Sequence, residues 1–181
     1  MKQFLLFLAL FTSLYADAKL YVGANAGYQY EVFTVDATTA YNNAKNFNLK
    51  FGYGDMKAYA IEFSIDYTPN ESNIVSQNDG DKYGFNIELL KSFDFDLFFT
   101  PFVKVGFGSG LMKVERSTKT QVNYGSFNAG IGTFIPLDEH FDLEIAYLFK
   151  QLSYEKFNLI DQIQEPSARQ QNAYAGINFR F

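Results

Sequence analysis

The chain has 181 residues, enough for one domain, and a net charge of −5, which lacks the basic footprint that a nucleic-acid partner requires. Cysteine is absent, so disulfides and thiolate metal sites are excluded. Phe and Tyr raise the aromatic share to 19% without any Trp, while the slightly negative mean hydropathy gives no general signal for helical membrane spans.

The one continuous apolar run comes first. Met1-Lys2-Gln3 opens with a positive charge, residues 4–14 are apolar apart from Thr12 and Ser13, and Ala16-Asp17-Ala18 offers a small-residue cleavage site. This pattern predicts a secretory signal peptide over residues 1–18, too short to span a bilayer, with cleavage after Ala18 or alternatively after Ala16. Without Cys near the cleavage site, a lipoprotein anchor is excluded. Loss of Lys2 and Asp17 together leaves the net charge at −5.

The remainder, residues 19–181, reads as eight segments alternating at period two, the mark of strands with two unlike faces. They cover residues 20–30, 47–53, 57–67, 82–93, 100–111, 124–135, 141–152 and 172–181. In the third, Tyr59, Ile61, Phe63, Ile65 and Tyr67 alternate with Ala60, Glu62, Ser64 and Asp66. In the last, Ala173, Ala175, Ile177, Phe179 and Phe181 alternate with Asn172, Tyr174, Gly176, Asn178 and Arg180. The second segment looks short and borrows from residues 44–46 to reach the length of its neighbours.

Connections alternate in length. Short turns fall at residues 54–56, 94–96 and 136–140, and long polar loops at 31–46, 68–81, 112–123 and 153–171. That is an up-and-down meander. Its apolar face is large and aromatic, whereas its polar face carries charges and glycines. An eight-stranded barrel has an interior just filled by side chains, so burying the Phe/Tyr/Ile set would overfill it. Turning that set to lipid, and the charges and glycines to the lumen, resolves the conflict. Lipid forbids open edges, so the first and eighth strands must pair. Aromatic girdles are expected from Tyr53, Tyr59, Phe93, Phe95, Phe99, Phe141, Phe179 and Phe181 at the short-turn end. Tyr28, Tyr30, Phe47, Tyr67, Tyr83, Phe127 and Phe149 supply them at the loop end. The fold class is therefore an all-β, eight-stranded antiparallel transmembrane β-barrel.

The terminal Tyr174-x-Gly176-Ile177-x-Phe179-x-Phe181 resembles the C-terminal assembly signal of Gram-negative outer-membrane barrels, and the whole pattern is similar to the small OmpA/OmpX-type barrels. The resemblance implies outer-membrane localisation, both termini in the periplasm, and recognition of the terminal residues by the barrel-assembly machinery. It implies contact with outer-membrane lipid and lipopolysaccharide; a monomer is expected, and the peptidoglycan-binding half of OmpA-type proteins is expected to be missing.

Nine inward positions carry charge: Lys50, Glu62, Asp66, Glu88, Lys104, Asp142, Glu144, Lys150 and Arg180. Buried charges must be paired, so they are expected to form a luminal network that plugs the barrel, or else to line a narrow polar conduit. His140, the single histidine, lies in a short turn at the opposite end of its strand from Ser153, which excludes a Ser-His pair. One histidine also makes no metal cluster. Gly106-Phe107-Gly108-Ser109-Gly110 lacks the helix and lysine of a phosphate loop, and its glycines read as space for large luminal neighbours. Asp36 and Asp79-Gly80-Asp81 lack EF-hand spacing. Lys113, Arg116 and Lys119 give the third long loop a basic character, read as a solvated loop or, alternatively, as a contact for anionic lipopolysaccharide. No catalytic set, metal or cofactor is expected. The functional expectation is structural, adhesive or surface-recognising, through four extracellular loops that meet a ligand or host surface; the alternative is a small-solute channel.

Overall fold

Period-two alternation carries through into a closed sheet. The computed structural model describes residues 18–35, 38–69, 79–114, 120–159, 162–164 and 166–181, so most of the expected leader lies outside the described residues. Ten strands form among the described residues: β1 (Lys19–Val35), β2 (Thr38–Gly54), β3 (Tyr59–Thr68), β4 (Asp79–Ser92), β5 (Thr100–Val114), β6 (Gln121–Pro136), β7 (Phe141–Tyr154), β8 (Phe157–Leu159), β9 (Gln162–Gln164) and β10 (Ser167–Arg180). Eight of them close a barrel in the order β1-β10-β7-β6-β5-β4-β3-β2, every pair antiparallel. β1 and β10 form the seam, from Tyr21↔Arg180 to Thr34↔Ser167.

Several boundaries differ from the sequence expectation, by one or two residues at the turn end, where β3 starts at Tyr59 and β4 stops at Ser92, and by more at the loop end. The loop expected over 31–46 is mostly strand: β1 and β2 stay paired from Lys19↔Gly54 up to Val35↔Thr38. β2 is therefore 17 residues long rather than short. The reason is composition. Beyond the apolar belt the outer face turns polar: Thr39, Asn43 and Lys45 replace apolar residues there and the alternation loses its contrast. Asp79-Gly80-Asp81, expected in a loop, begin β4, with a register shift between Asp79 and Lys82. The loop expected over 153–171 holds the β8–β9 hairpin, and β10 starts at Ser167. Asp36, Arg116 and Lys119 lie outside the described residues.

The outer surface is an exposed apolar belt, with Leu49, Ile65, Phe107 and Ile131 each at least 60% exposed. An aromatic row, Phe47–Tyr67–Tyr83, rims it at the loop end with ring centroids 6.5 and 5.3 Å apart. Phe141, Phe179 and Phe181 cluster at the turn end, with successive centroids 5.1 Å apart.

The lumen departs from expectation in one respect. Charges and glycines do not fill it alone. Tyr21, Met56, Leu90, Phe102, Phe134 and Leu148 belong to an apolar plug at the turn end. Phe33, Met112, Val122, Leu152, Tyr154 and Ala168 belong to a second plug at the loop end. Glycines admit these large rings. Gly132 sits opposite Phe102, and a Cβ on Gly132 would stand 2.5 Å from its Cζ. A Cβ on Gly52 would stand 2.1 Å from Tyr21 Cζ.

If the exposed belt faces lipid, Ile131→Arg on β6 should cost about 2–4 kcal/mol of stability in vesicles, although Ile131 is 63% exposed. The same exchange on a water-facing surface costs under about 0.5 kcal/mol. Urea titration of vesicle-refolded protein distinguishes the two.

Candidate functional site

The inward side chains of the strands meet in the lumen as a layered polar network between the two plugs. At its turn-side level, Lys50 Nζ lies 2.9 Å from Glu62 Oε1 and also contacts Glu144 Oε2. Lys104 Nζ lies 3.4 Å from Glu62 and 3.1 Å from Glu88. Neutral donors complete the carboxylates. Tyr21 OH donates to Glu62 at 2.8 Å, Tyr174 OH to Glu144 at 2.8 Å, Asn178 to Glu144 at 3.0 Å and Asn128 to Glu88 at 3.2 Å. One level further toward the loops, Lys150 pairs with Asp66, which also accepts from Asn48 at 2.7 Å and Asn86 at 2.8 Å.

At the rim of the turn end, Arg180 Nε lies 2.7 Å from Asp142, and its Nη2 donates to the Asp138 carbonyl at 3.1 Å. Arg180 is thus a half-buried rim residue; the other eight residues of the expected set are buried.

Two charges in this interior escaped the sequence reading. Glu31 is fully buried, pairs with Lys82, and accepts from Tyr154 OH at 3.3 Å and Gln170 at 3.1 Å. Parity would have found both. Glu31 continues the inward series of Asn25 and Gln29, and Lys82 precedes Asn86 and Glu88 on the same face. They were missed because residue 31 was assigned to a loop and Lys82 lies at the first position of its predicted strand.

The network is dry. The side chains of Lys50 and Glu62 are 1% exposed and that of Glu144 is 0% exposed, so no water-wide path crosses their level. A cavity of ≈ 10 Å³ remains among Asn48, Asp66, Lys104 and Tyr174, room for about one water. Chemically this arrangement fixes strand register and seals the barrel; no described group is presented to a substrate there.

The other candidates separate in space. His140 is exposed in the β6–β7 turn, where its ring stacks on Phe179 at 5.9 Å, and Ser153 lies at the far end of β7. The His140 and Phe141 N–H groups each donate to Asp138 Oδ1 at 2.7 Å and hold that carboxyl below its usual range. Residues 106–110 run along β5 with no turn to cradle a phosphate. Lys113 is exposed on the outer face, 5.1 Å from the Tyr83 ring centroid. In the terminal strand, Tyr174 points inward and Ile177 and Phe181 outward, while the Cβ position of Gly176 is occupied by Asn25 Oδ1 at 1.9 Å.

The closed antiparallel eight-stranded barrel has clear structural counterparts. This is the fold of the small outer-membrane β-barrels. Neisserial surface protein A superposes with a TM-score of 0.67 at 13% identity, over 91% of this chain and 99% of that one. Ail, the attachment invasion locus protein of Yersinia pestis, solved in complex with the heparin analogue sucrose octasulfate, gives 0.54 at 18% identity, over 90% and 99%. The N-terminal barrel domain of Pseudomonas aeruginosa OprF gives 0.54 at 12% identity, over 91% and 100%. No family model matches the chain, and no curated protein matches it in sequence.

Lys50→Met should destabilise the barrel by about 3–5 kcal/mol, because Glu62 and Glu144 lose their shared cation in a dry layer. Adding Glu144→Gln should recover part of that loss. A double-mutant cycle in urea, run on vesicle-refolded protein, measures both; additive losses would contradict the shared-cation arrangement.

Proposed function

We propose that this chain is a monomeric Gram-negative outer-membrane protein whose working surface is the loop end of the barrel, used for surface recognition or attachment. The observation that carries this reading is the sealed lumen beneath a projecting hairpin. Passage of a solute would require the Lys50–Glu62–Glu144 layer and both apolar plugs to open, whereas the loop end already presents a built surface. β2 continues from Phe47 of the girdle back to Thr38. At roughly 3.3 Å per residue that stretch carries the hairpin some 30 Å along the strand path beyond the belt.

Its outer face joins rings to hydrogen-bonding groups. Tyr30 and Tyr41 stack at 6.2 Å, flanked by Asn43 and Lys45. Tyrosines flanked by small polar groups make adaptable contact surfaces at low entropic cost. Among the described residues, the loop end mixes both signs of charge, with Lys45, Lys113 and Lys156 against Asp81 and Glu155. That balance favours a ligand offering hydrogen-bonding groups over a dense polyanion such as the sulfated sugar bound to Ail. In the same reading residues 1–18 are removed during export. Tyr174, Gly176, Ile177, Phe179 and Phe181 address the chain to the assembly machinery, and lipopolysaccharide surrounds the loop end.

Two measurements test the reading. Refolded protein in planar bilayers should give no conductance steps above the lipid background; regular steps would overturn it in favour of a channel. Cells displaying the Tyr30→Ser/Tyr41→Ser variant should keep a heat-modifiable barrel yet lose most of their attachment to cultured cell monolayers relative to wild type.

A further inference from the structure

Three short turns close the barrel at one end. The β2–β3 turn, residues 55–58, and the β6–β7 turn, residues 137–140, are largely polar or small. The β4–β5 turn is different: residues 93–99 read Phe-Asp-Phe-Asp-Leu-Phe-Phe. Its backbone is set by its acids. Asp96 takes a left-handed φ of 55° and its N–H donates to Asp94 Oδ1 at 3.0 Å, while Lys57 holds Asp94 Oδ2 at 3.2 Å. Asp138 shapes the β6–β7 turn in the same manner with no phenylalanine in the loop itself. Turn geometry therefore does not call for the aromatic side chains.

Packing does not call for them either. Phe98 is 78% exposed, Phe95 63% and Leu97 54%. A contiguous exposed apolar patch marks an interaction surface. This one is continuous with the lipid-facing belt. Phe93 follows Leu89 and Lys91 on the outer face of β4, and Phe95 stacks on Phe93 at 6.3 Å with rings nearly parallel at 9°.

Beside the patch stands a cation without a carboxylate. Lys91 Nζ lies 4.0 Å from the Tyr59 ring centroid and 5.8 Å from that of Phe93, and among the described residues it makes no ion pair. Aromatic rings at a membrane interface with a lysine reaching to the headgroup level form a phospholipid-binding arrangement.

We infer that the β4–β5 turn is a lipid-anchoring lip, with Phe95, Leu97 and Phe98 entering the periplasmic leaflet and Lys91 taking the phosphate of an anionic phospholipid. The inference rests on the membrane-spanning reading of the barrel.

The chain has no tryptophan, so a single introduced indole reports alone. Phe98→Trp, Phe95→Trp and, as a belt reference, Ile131→Trp are refolded into phosphatidylcholine–phosphatidylglycerol vesicles, with folding verified by heat-modifiable gel mobility. Bromines are carried either near the glycerol backbone or at the acyl-chain end. Both lip variants should emit to the blue of free indole and be quenched by the shallow bromines about twofold more than by the deep ones. Water-like, unquenched emission from both lip variants, with Ile131→Trp still quenched, would overturn the lip and point to a periplasmic protein partner instead. If Ile131→Trp is also unquenched, the membrane-spanning reading falls and the lip with it. Finally, brominated phosphatidylglycerol should quench Phe98→Trp about twofold more than brominated phosphatidylcholine, and Lys91→Gln should bring that ratio to one. A ratio unmoved by Lys91→Gln would remove the phosphate contact.

Discussion

An eight-stranded barrel encloses a space that its own side chains must fill, and this constraint governs the rest of the molecule. The sheet closes on itself through the β1–β10 seam, so the barrel's apolar exterior borders no open edge. Closure then forces every inward residue into a narrow dry volume. Charges survive there only when paired, and rings such as Tyr21 and Phe102 fit where a glycine leaves room beside them. Both solutions appear at neighbouring levels: Lys50 between Glu62 and Glu144, and Phe102 stacked on Phe134 at 4.5 Å beside Gly132.

The interior network is more than a set of ion pairs. Among the described residues six buried carboxylates (Glu31, Glu62, Asp66, Glu88, Asp142, Glu144) face four buried lysines (Lys50, Lys82, Lys104, Lys150) and the rim guanidinium of Arg180, so cations alone do not balance them. Tyrosine and asparagine donors make up the difference, Tyr21 on Glu62 and Tyr174 with Asn178 on Glu144. Such charge-assisted bonds have demanding geometry, which is how a polar lumen fixes the register of strands whose outer face is largely apolar. The apolar plugs at either end keep water from competing for these bonds.

With the centre sealed, the two ends of the barrel divide the remaining roles. The loop end carries the long β1–β2 hairpin and the tyrosine-bearing surface proposed for recognition. The turn end is short and mostly polar, apart from the phenylalanine lip beside Lys91. On the two proposals above, the sealed barrel is a pedestal that holds one surface away from the bilayer and fastens the other to it.

The sequence by itself determined the eight barrel strands, the antiparallel meander and the division into an apolar outer face and a polar inner one, because period two assigns each residue to a face without reference to its neighbours. Residues at the loop end were less legible. Thr39, Asn43 and Lys45 face water outside while Asn42 and Asn46 face a polar lumen inside, so the hydropathy contrast that marks a strand vanishes although the pairing continues. Phe33, Phe102 and Phe134 were not expected in the lumen, because parity says which way a ring points and not whether space awaits it. Only the tertiary structure decided which lysine meets which glutamate. Lys50 and Glu144 stand 94 positions apart, and their meeting depends on how the closed barrel brings non-neighbouring strands across a shared interior.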